Sequence, residues 1–156
     1  MLVIKSGDFE DDRVKTLLTR HLEGMHANSP PGHVFALDWS GLQTPDISFY
    51  ALWEDEELLG VGALKELGPR AGEIKSMRTA EAHLRRGVAA RILEHIIAEA
   101  RRRGYTRLSL ETGSGPPFEP ALQLYRKYGF TEGGAFGDYV KSPFNQFLHL
   151  DLVALS

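Results

Sequence analysis

The sequence predicts a mixed α/β (α+β) fold in which one sheet is covered by helices on both faces. Three observations predict this class. The chain has 156 residues, of which 42% are hydrophobic and 25% charged, as is usual for a globular domain. β-rich runs alternate with segments of helical period. A strand, a helix and a strand follow one another between residues 73 and 111, which predicts a right-handed parallel crossover in the sheet.

The first half of the chain predicts one helix and three strands. Leu2–Lys5 is a short β-rich strand. Asp11–His26 begins with acidic residues and carries an apolar stripe of helical spacing, so we expect a helix there. Residues 33–46 fit a short helical turn and a loop equally well. Ile47–Trp53 and Leu58–Leu64 are β-rich runs separated by four acidic residues, which predicts a hairpin.

The second half predicts the central crossover and the closing strands. Glu73–Thr79 and Arg107–Glu111 are the two strands of the crossover, and Gly87–Arg103 is the helix between them, with one apolar face and Gly104 as its C-terminal cap. Pro117–Tyr128 is a further helix of the same kind. Two more strands are expected at Phe130–Phe136 and Asn145–Val153.

Composition excludes several classes of protein. The formal net charge is -3, so the chain has no general basic field for nucleic acid. No apolar run approaches the roughly 20 residues of a membrane span, and the start of the chain does not have the layout of a signal peptide. The sequence contains no cysteine, which excludes disulfides and a catalytic thiol. We therefore expect a single cytoplasmic domain over residues 1–156, without a membrane or nucleic-acid partner.

The charge is unevenly distributed and indicates one anionic ligand. Residues 1–60 hold four Lys/Arg against eleven Asp/Glu, whereas residues 70–103 hold nine against four. Arg85 and Arg86 stand at the start of the long helix, where cations oppose the helix dipole, and no capping side chain precedes Gly87. An anion such as a diphosphate on the free helix amides would remove both defects. Two solvated arginines beside an ordinary turn are the alternative.

Two motifs then point to a known family. The string Arg85–Ala89 is similar to a pyrophosphate loop of the form Q/R-x-x-G-x-G/A. The string Ala121–Tyr125 followed by Gly129 and Phe130 matches A-x-x-L-Y-x-x-x-G-F. On these motifs, residues 73–130 resemble the acetyl-coenzyme-A-binding core of the GNAT superfamily of N-acetyltransferases.

The resemblance extends to a bacterial branch of largely uncharacterised members, through the strings at residues 75–79 and 108–113. Two positions depart from the pattern. Leu84 stands where the loop has Gln or Arg, and Phe118 stands where an Asn is common. These departures affect two side-chain contacts to the cofactor and leave the main-chain contacts unaffected.

The resemblance implies a mostly antiparallel sheet of about six to seven strands, with acetyl-CoA as cofactor. It places the pyrophosphate on the amides at the start of the long helix and the pantetheine arm along the edge of the strand before it. It also implies that Tyr125 protonates the leaving thiolate. The cofactor-binding residues it implies are Met77, Arg78, Thr79, Leu84, Arg85, Arg86, Gly87, Val88, Ala89, Ala90 and Tyr125.

A general base is expected because an amine with a pKa near 10.4 is almost fully protonated at pH 7. Glu73 resembles the position that some family members use, and Glu111 ends the neighbouring strand. The candidate substrate-binding residues are His26, Ser29, His33, Lys75 and Glu111. No metal site is expected, since His21 and His26 are about 140° apart around a helix and do not converge on one ion.

The acceptor remains open at this stage. The acidic first sixty residues favour a cationic amine, although solvation is enough to explain the turn Glu54–Glu57. Lys65, Lys75 and Arg78 would instead bind a carboxylate of an amino acid or a peptide end, and the C-terminal hairpin, which includes Asp138 and Tyr139, would close the pocket. With no cysteine for an acyl-enzyme, the sequence predicts direct transfer to a small-molecule or peptide amine in a ternary complex. A non-catalytic acyl-CoA-binding module is the alternative, and dimers are common in the family.

Overall fold

The computed structural model describes residues 2–30, 41–68, 70–80, 83–84, 87–137 and 139–152. The strands are β1 (Leu2–Ser6), β2 (Ile47–Glu54), β3 (Glu57–Gly68), β4 (Ala71–Thr79), β5 (Arg107–Thr112), β6 (Thr131–Glu132) and β7 (Gln146–Asp151). The helices are α1 (Asp12–Asn28), α2 (Val88–Arg102) and α3 (Glu119–Lys127), the last preceded by a short 3₁₀ turn at Pro116–Phe118.

The described strands form one seven-stranded sheet in the order β1-β2-β3-β4-β5-β7-β6. Every neighbouring pair is antiparallel except β4 and β5, which are parallel and joined by α2. The sheet is therefore mostly antiparallel with one β-α-β crossover at its centre. This confirms the predicted fold class.

Helices cover both faces of the sheet. One core joins α2 and α3 to the face that carries Leu64, Ile74 and Leu108. A second core joins Val14 and Leu18 of α1 to the opposite face of β2 and β3. The apolar stripe predicted for α2 is buried in full and consists of Val88, Ile92, Leu93, Ile96, Ile97 and Ala100.

Three predicted elements differ from the structure, the first being β3, which continues to Gly68, four residues beyond its predicted end at Leu64. The strand expected at Phe130–Phe136 is limited to Thr131–Glu132, and the two adjacent glycines that follow, Gly133 and Gly134, are unfavourable in a strand. The helix expected from Pro117 begins with the 3₁₀ turn, and α3 starts at Glu119. Of the ambiguous segment 33–46, only residues 41–46 lie within the described part of the chain, and they form turns rather than a helix.

Candidate active site

The centre of the sheet is split between β4 and β5. The two strands pair only at their first residues, as Ala71 with Arg107, Gly72 with Leu108 and Glu73 with Ser109. Each strand continues for several residues beyond the last of these pairs without a partner from the other. Unpaired strand edges present main-chain N–H and C=O groups, so the split can bond the amides of a narrow extended ligand.

A β-bulge in β4 bends the strand at this split. One residue of β3, Gly62, lies opposite two residues of β4, Ser76 and Met77. Ser76 has a φ of 55°, which is uncommon outside glycine, and its buried hydroxyl has no hydrogen-bond partner in the described part of the chain. A Cβ on Gly62 would lie 2.6 Å from Met77 Sδ, so glycine is needed where the bulge packs.

A cavity of about 210 Å³ fills the split. Its walls are residues 73–78 of β4, residues 110–112 of β5, the second half of α1, the segment around the start of α3, and Tyr139. A larger and more open cleft of about 730 Å³ lies between α1 and the turn that joins β2 to β3. We place the site in the smaller cavity because the split strands and the perturbed carboxyl group occur there.

Glu73 and Lys75 form a buried ion pair on the wall of the cavity. Lys75 Nζ lies 3.2 Å from Glu73 Oε2, and both side chains are less than a tenth exposed. The Tyr139 hydroxyl donates to the same carboxylate oxygen at 2.5 Å and accepts from Lys75 Nζ at 2.8 Å. Burial and the Glu73 charge raise the pKa of Tyr139, so it stays a donor. Glu73 is thus held by two partners.

Glu111 is a carboxyl group of the cavity wall whose pKa is raised. Its burial raises the pKa to about 7, with a further increase from the charge of Glu73 and an opposing effect of Lys75. Glu111 lies two residues beyond Ser109, the last residue of β5 that pairs with β4, and its side chain lines the cavity. A carboxyl group that titrates near pH 7 can exchange a proton with a substrate under neutral conditions.

Tyr125 lies on the other side of the split, on α3. It is 7% exposed, lines the cavity, and packs edge-on against Phe130 with 5.6 Å between the ring centroids. Burial raises the pKa of its phenol. The hydroxyl therefore keeps its proton at neutral pH and can donate it.

The start of α2 leaves main-chain donors free. Gly87 is the N-cap residue with a φ of 77°, and as a glycine it supplies no side-chain cap to the helix. The first-turn amides of Val88, Ala89 and Ala90 have no partners within the helix. Together with the unpaired edge of β4 and the unbonded Ser76 hydroxyl, these donors fit a long ligand that carries amides and a diphosphate.

The remaining predicted site residues fall in different places. Thr79 pairs with Gly60 at the end of β4, outside the cavity wall, and Leu84 is 55% exposed. His26 is exposed and Ser29 caps α1, and neither lines the cavity. His26 lies five residues after His21 and therefore faces another side of the helix. Three predicted residues lie outside the described part of the chain: His33, Arg85 and Arg86.

The sequence places His26 of α1 at the acceptor site, but the residues of α1 that line the cavity include His21 and Gly24 instead. Spacing along the chain excludes His21 as a metal ligand and assigns it no other role. Its position predicts burial, because it lies seven residues after Val14 and four after Leu17 in the apolar stripe. Among the described residues, no group of three or more His, Cys, Asp or Glu side chains is placed to hold a metal ion.

Comparison with known proteins defines the class. The chain is 50% identical over 145 residues to the uncharacterized N-acetyltransferase YsnE of Bacillus subtilis, which covers 93% of this chain and 96% of that protein. It is 46% identical over 152 residues to the uncharacterized N-acetyltransferase YedL of Escherichia coli K12, covering 97% and 96%. Residues 13–130 match the model of the acetyltransferase (GNAT) family. The chain therefore belongs to the GNAT family of acetyltransferases.

Solved structures agree with this assignment. A Klebsiella pneumoniae protein proposed to be an acyl-CoA N-acyltransferase superposes with a TM-score of 0.81 at 25% identity, covering 98% of this chain and 99% of that one. A Bacillus subtilis acetyltransferase in complex with CoA superposes with a TM-score of 0.72 at 22% identity, covering 98% and 100%. As a member of the GNAT family with relatives of 46–50% identity that are named N-acetyltransferases, the protein is an N-acetyltransferase with acetyl-CoA as donor. None of the helices in the described residues is long and apolar enough to cross a membrane.

Proposed function

We propose that the enzyme transfers the acetyl group directly to the primary amine of a small acceptor, with Glu111 as general base and Tyr125 as general acid. One observation supports this assignment. The cavity in the strand split is lined on one side by a carboxyl group whose pKa is raised to about 7 and on the other by a buried phenol. A proton acceptor and a proton donor are the two groups that acyl transfer to an amine requires.

Glu111 is the better base of the two carboxylates. An acceptor amine is mostly an ammonium at pH 7, so one proton must leave before the nitrogen can react. Half of the Glu111 carboxyl groups are ionised near pH 7, and the ionised form can take this proton on a carboxylate oxygen. Its Coulomb interactions are with Lys75 and Glu73, which have opposite effects on the pKa.

Glu73 has a positioning role in this scheme. Its carboxylate accepts hydrogen bonds from both Lys75 and Tyr139, so taking up a proton would disrupt a buried ion pair. The same bonds hold Tyr139 at the cavity. The loop before β7 that carries Tyr139 is further anchored by His149, whose Nε2 lies 2.8 Å from the Gly134 carbonyl oxygen.

Bound acetyl-CoA supplies a thioester, which is an acetyl group already activated for attack by an amine. The residues that would hold it are the first-turn amides of α2 from Val88 to Ala90 and the edge of β4 at Met77. Arg85 and Arg86 stay predicted partners of its phosphates. Tyr125 holds a proton at Oη that is available to a departing thiolate, while Phe130 keeps its ring in place. The absence of cysteine leaves no thiol for an acyl-enzyme, which favours direct transfer within a ternary complex.

The test is the substitution Glu111→Gln, measured by free-thiol release across pH 5 to 9 on a panel of primary amines. We expect kcat to fall by about 100-fold, a magnitude typical of the loss of a general base. The increase of the rate with pH through about 7, where Glu111 ionises in the wild type, should also disappear. Glu119→Gln is the matched control, because this carboxylate is exposed on α3 and pairs with Arg126.

An unchanged pH profile in Glu111→Gln would remove this residue from the role of base. A second pair of measurements on the wild type separates the enzyme from the alternative, a non-catalytic acyl-CoA-binding module, which would bind acetyl-CoA without turnover. In that case calorimetry would show acetyl-CoA binding to the wild type, and no amine in the panel would release thiol.

A further inference from the structure

The α1 side of the cavity carries two polar groups that the proposed chemistry does not use. His21 is 7% exposed and lines the cavity, yet its buried Nδ1 has no hydrogen-bond partner among the described residues. Arg78, at the end of β4, lines the same cavity. In the described part of the chain no carboxylate lies within ion-pair distance of its guanidinium.

A glycine in α1 makes room for the arginine. A Cβ on Gly24 would lie 3.2 Å from Arg78 Nη1, closer than ordinary van der Waals contact. Glycine destabilises the interior of a helix relative to alanine. Gly24 therefore makes α1 less stable at the position where the Arg78 guanidinium packs against it. The guanidinium also contributes, after burial, to lowering the pKa of His21 to about 4. The imidazole is therefore neutral at pH 7.

A cation and a buried nitrogen that both lack a partner among the described residues are together suited to an anion. A neutral imidazole can carry its proton on Nδ1 and donate it, and a guanidinium donates in a planar fork that matches a carboxylate. An ammonium would be repelled by Arg78 at this position, and it has carboxylates to approach at Glu111 and Glu73. The charges of the cavity therefore favour a molecule that is negative near α1 and positive near β5.

We propose that the acceptor is a free amino acid whose carboxylate is bound by Arg78 and His21 while its amino group lies toward Glu111. This inference rests on the proposed function and names its substrate class. The cavity of about 210 Å³ is smaller than most ligand sites, which favours a single amino acid over a peptide. The sequence indicates three cations as candidate ligands of a carboxylate. Lys75 forms an ion pair with Glu73 and Lys65 does not line the cavity, which leaves Arg78.

The test compares each amino acid with its carboxamide, which keeps the amine but lacks the negative charge. We expect kcat/KM for the best free amino acid to exceed that of its amide by about 100-fold. Arg78→Met should lower the value for the acid by a similar factor and the value for the amide by a much smaller one, because only the acid loses a charge partner. His21→Phe should act in the same direction, whereas His21→Asn, which retains an N–H donor, should recover part of the loss. Lys65→Met is the matched control and should change neither.

A binding measurement gives a second readout that does not need turnover. The ligand is the N-acetyl derivative of the best amino acid substrate, and it is titrated into the wild type and into Arg78→Met in a calorimeter. It should bind to the wild type at least tenfold more tightly than to the variant. Thermal unfolding of each variant shows whether it is folded. Equal turnover of acids and amides, or an equal loss of both in Arg78→Met, would overturn the inference but leave the proposed function intact. Thiol release from no amine, with acetyl-CoA bound, would overturn both.

Discussion

The partly buried Glu111 lowers the stability of the free enzyme at neutral pH, and Glu111→Gln should reverse this. The carboxyl group has an ordinary pKa of 4.5 that burial raises to about 7 in the folded protein. Ionised Glu111 is therefore less stable in the folded chain than in water. Glutamine has nearly the same shape and cannot ionise, so the substitution removes this cost.

The magnitude follows from the two pKa values. One pKa unit corresponds to about 1.4 kcal/mol, so the full difference corresponds to about 3 kcal/mol. Glu111 is only partly buried, and solvent screening reduces the effect, so we expect about 1–2 kcal/mol.

The pH window follows from the same values. Below pH 4.5 both states are protonated, and between pH 4.5 and 7 only the unfolded chain ionises. The folded state then binds more protons, so the free energy of unfolding of the wild type falls as the pH rises. Above about pH 7 both states are ionised and the cost is constant.

The assay is urea unfolding of the wild type and of Glu111→Gln at half-unit steps from pH 4.5 to 8.5. The advantage of the variant should be near zero at the lowest pH, grow to about 1–2 kcal/mol by pH 7.5 and then stay level. Glu119→Gln, at an exposed position, should show no such growth. A difference that is independent of pH, or one that favours the wild type as the pH rises, would refute the raised pKa and with it the choice of base.

Two further predictions concern the cofactor side. Tyr125→Phe should lower kcat by about 100-fold, because the proton at Oη is lost. Its calorimetric Kd for acetyl-CoA should stay unchanged, since the ring still packs on Phe130; an equal loss of affinity would indicate a binding role instead. Gly87→Ala should destabilise the protein by about 1 kcal/mol, measured by urea unfolding, because Gly87 has a φ of 77°. Gly134→Ala is its control, since a Cβ is unobstructed at both positions but only Gly87 has a positive φ.

Local patterns predicted the elements of this fold well. The apolar face of α2 follows from apolar residues spaced three and four positions apart. All of its predicted members from Val88 to Ala100 are buried. The strands of the crossover lie within two residues of their predicted ends. The strand expected at Phe130–Phe136 ends after Glu132, so its expected length was wrong: two adjacent glycines, Gly133 and Gly134, follow, and glycine is unfavourable in strands.

The candidate site divides in the same way. Gly87 and Tyr125 lie in contiguous motifs, so a single sequence could indicate them. The acceptor side could not be predicted as a unit, because Glu111, Arg78 and His21 come from three separate elements. The proton affinity of Glu111 depends on burial and on two charges from the neighbouring strand, which spacing along the chain does not encode.

The sequence by itself determined the class of fold and the family, because these follow from periodicity and from short contiguous strings. The place of the cofactor is a prediction from the same strings. The tertiary structure decided the rest. Only the separation of β4 from β5 beyond Glu73 opens a cavity through the sheet. Only the packing of α1 beside it brings Arg78 and His21 together, an arginine without an ion pair and a histidine with an unbonded nitrogen among the residues that the structure describes. Both depend on contacts between residues far apart in the chain, so the choice of acceptor depends on the assembled fold.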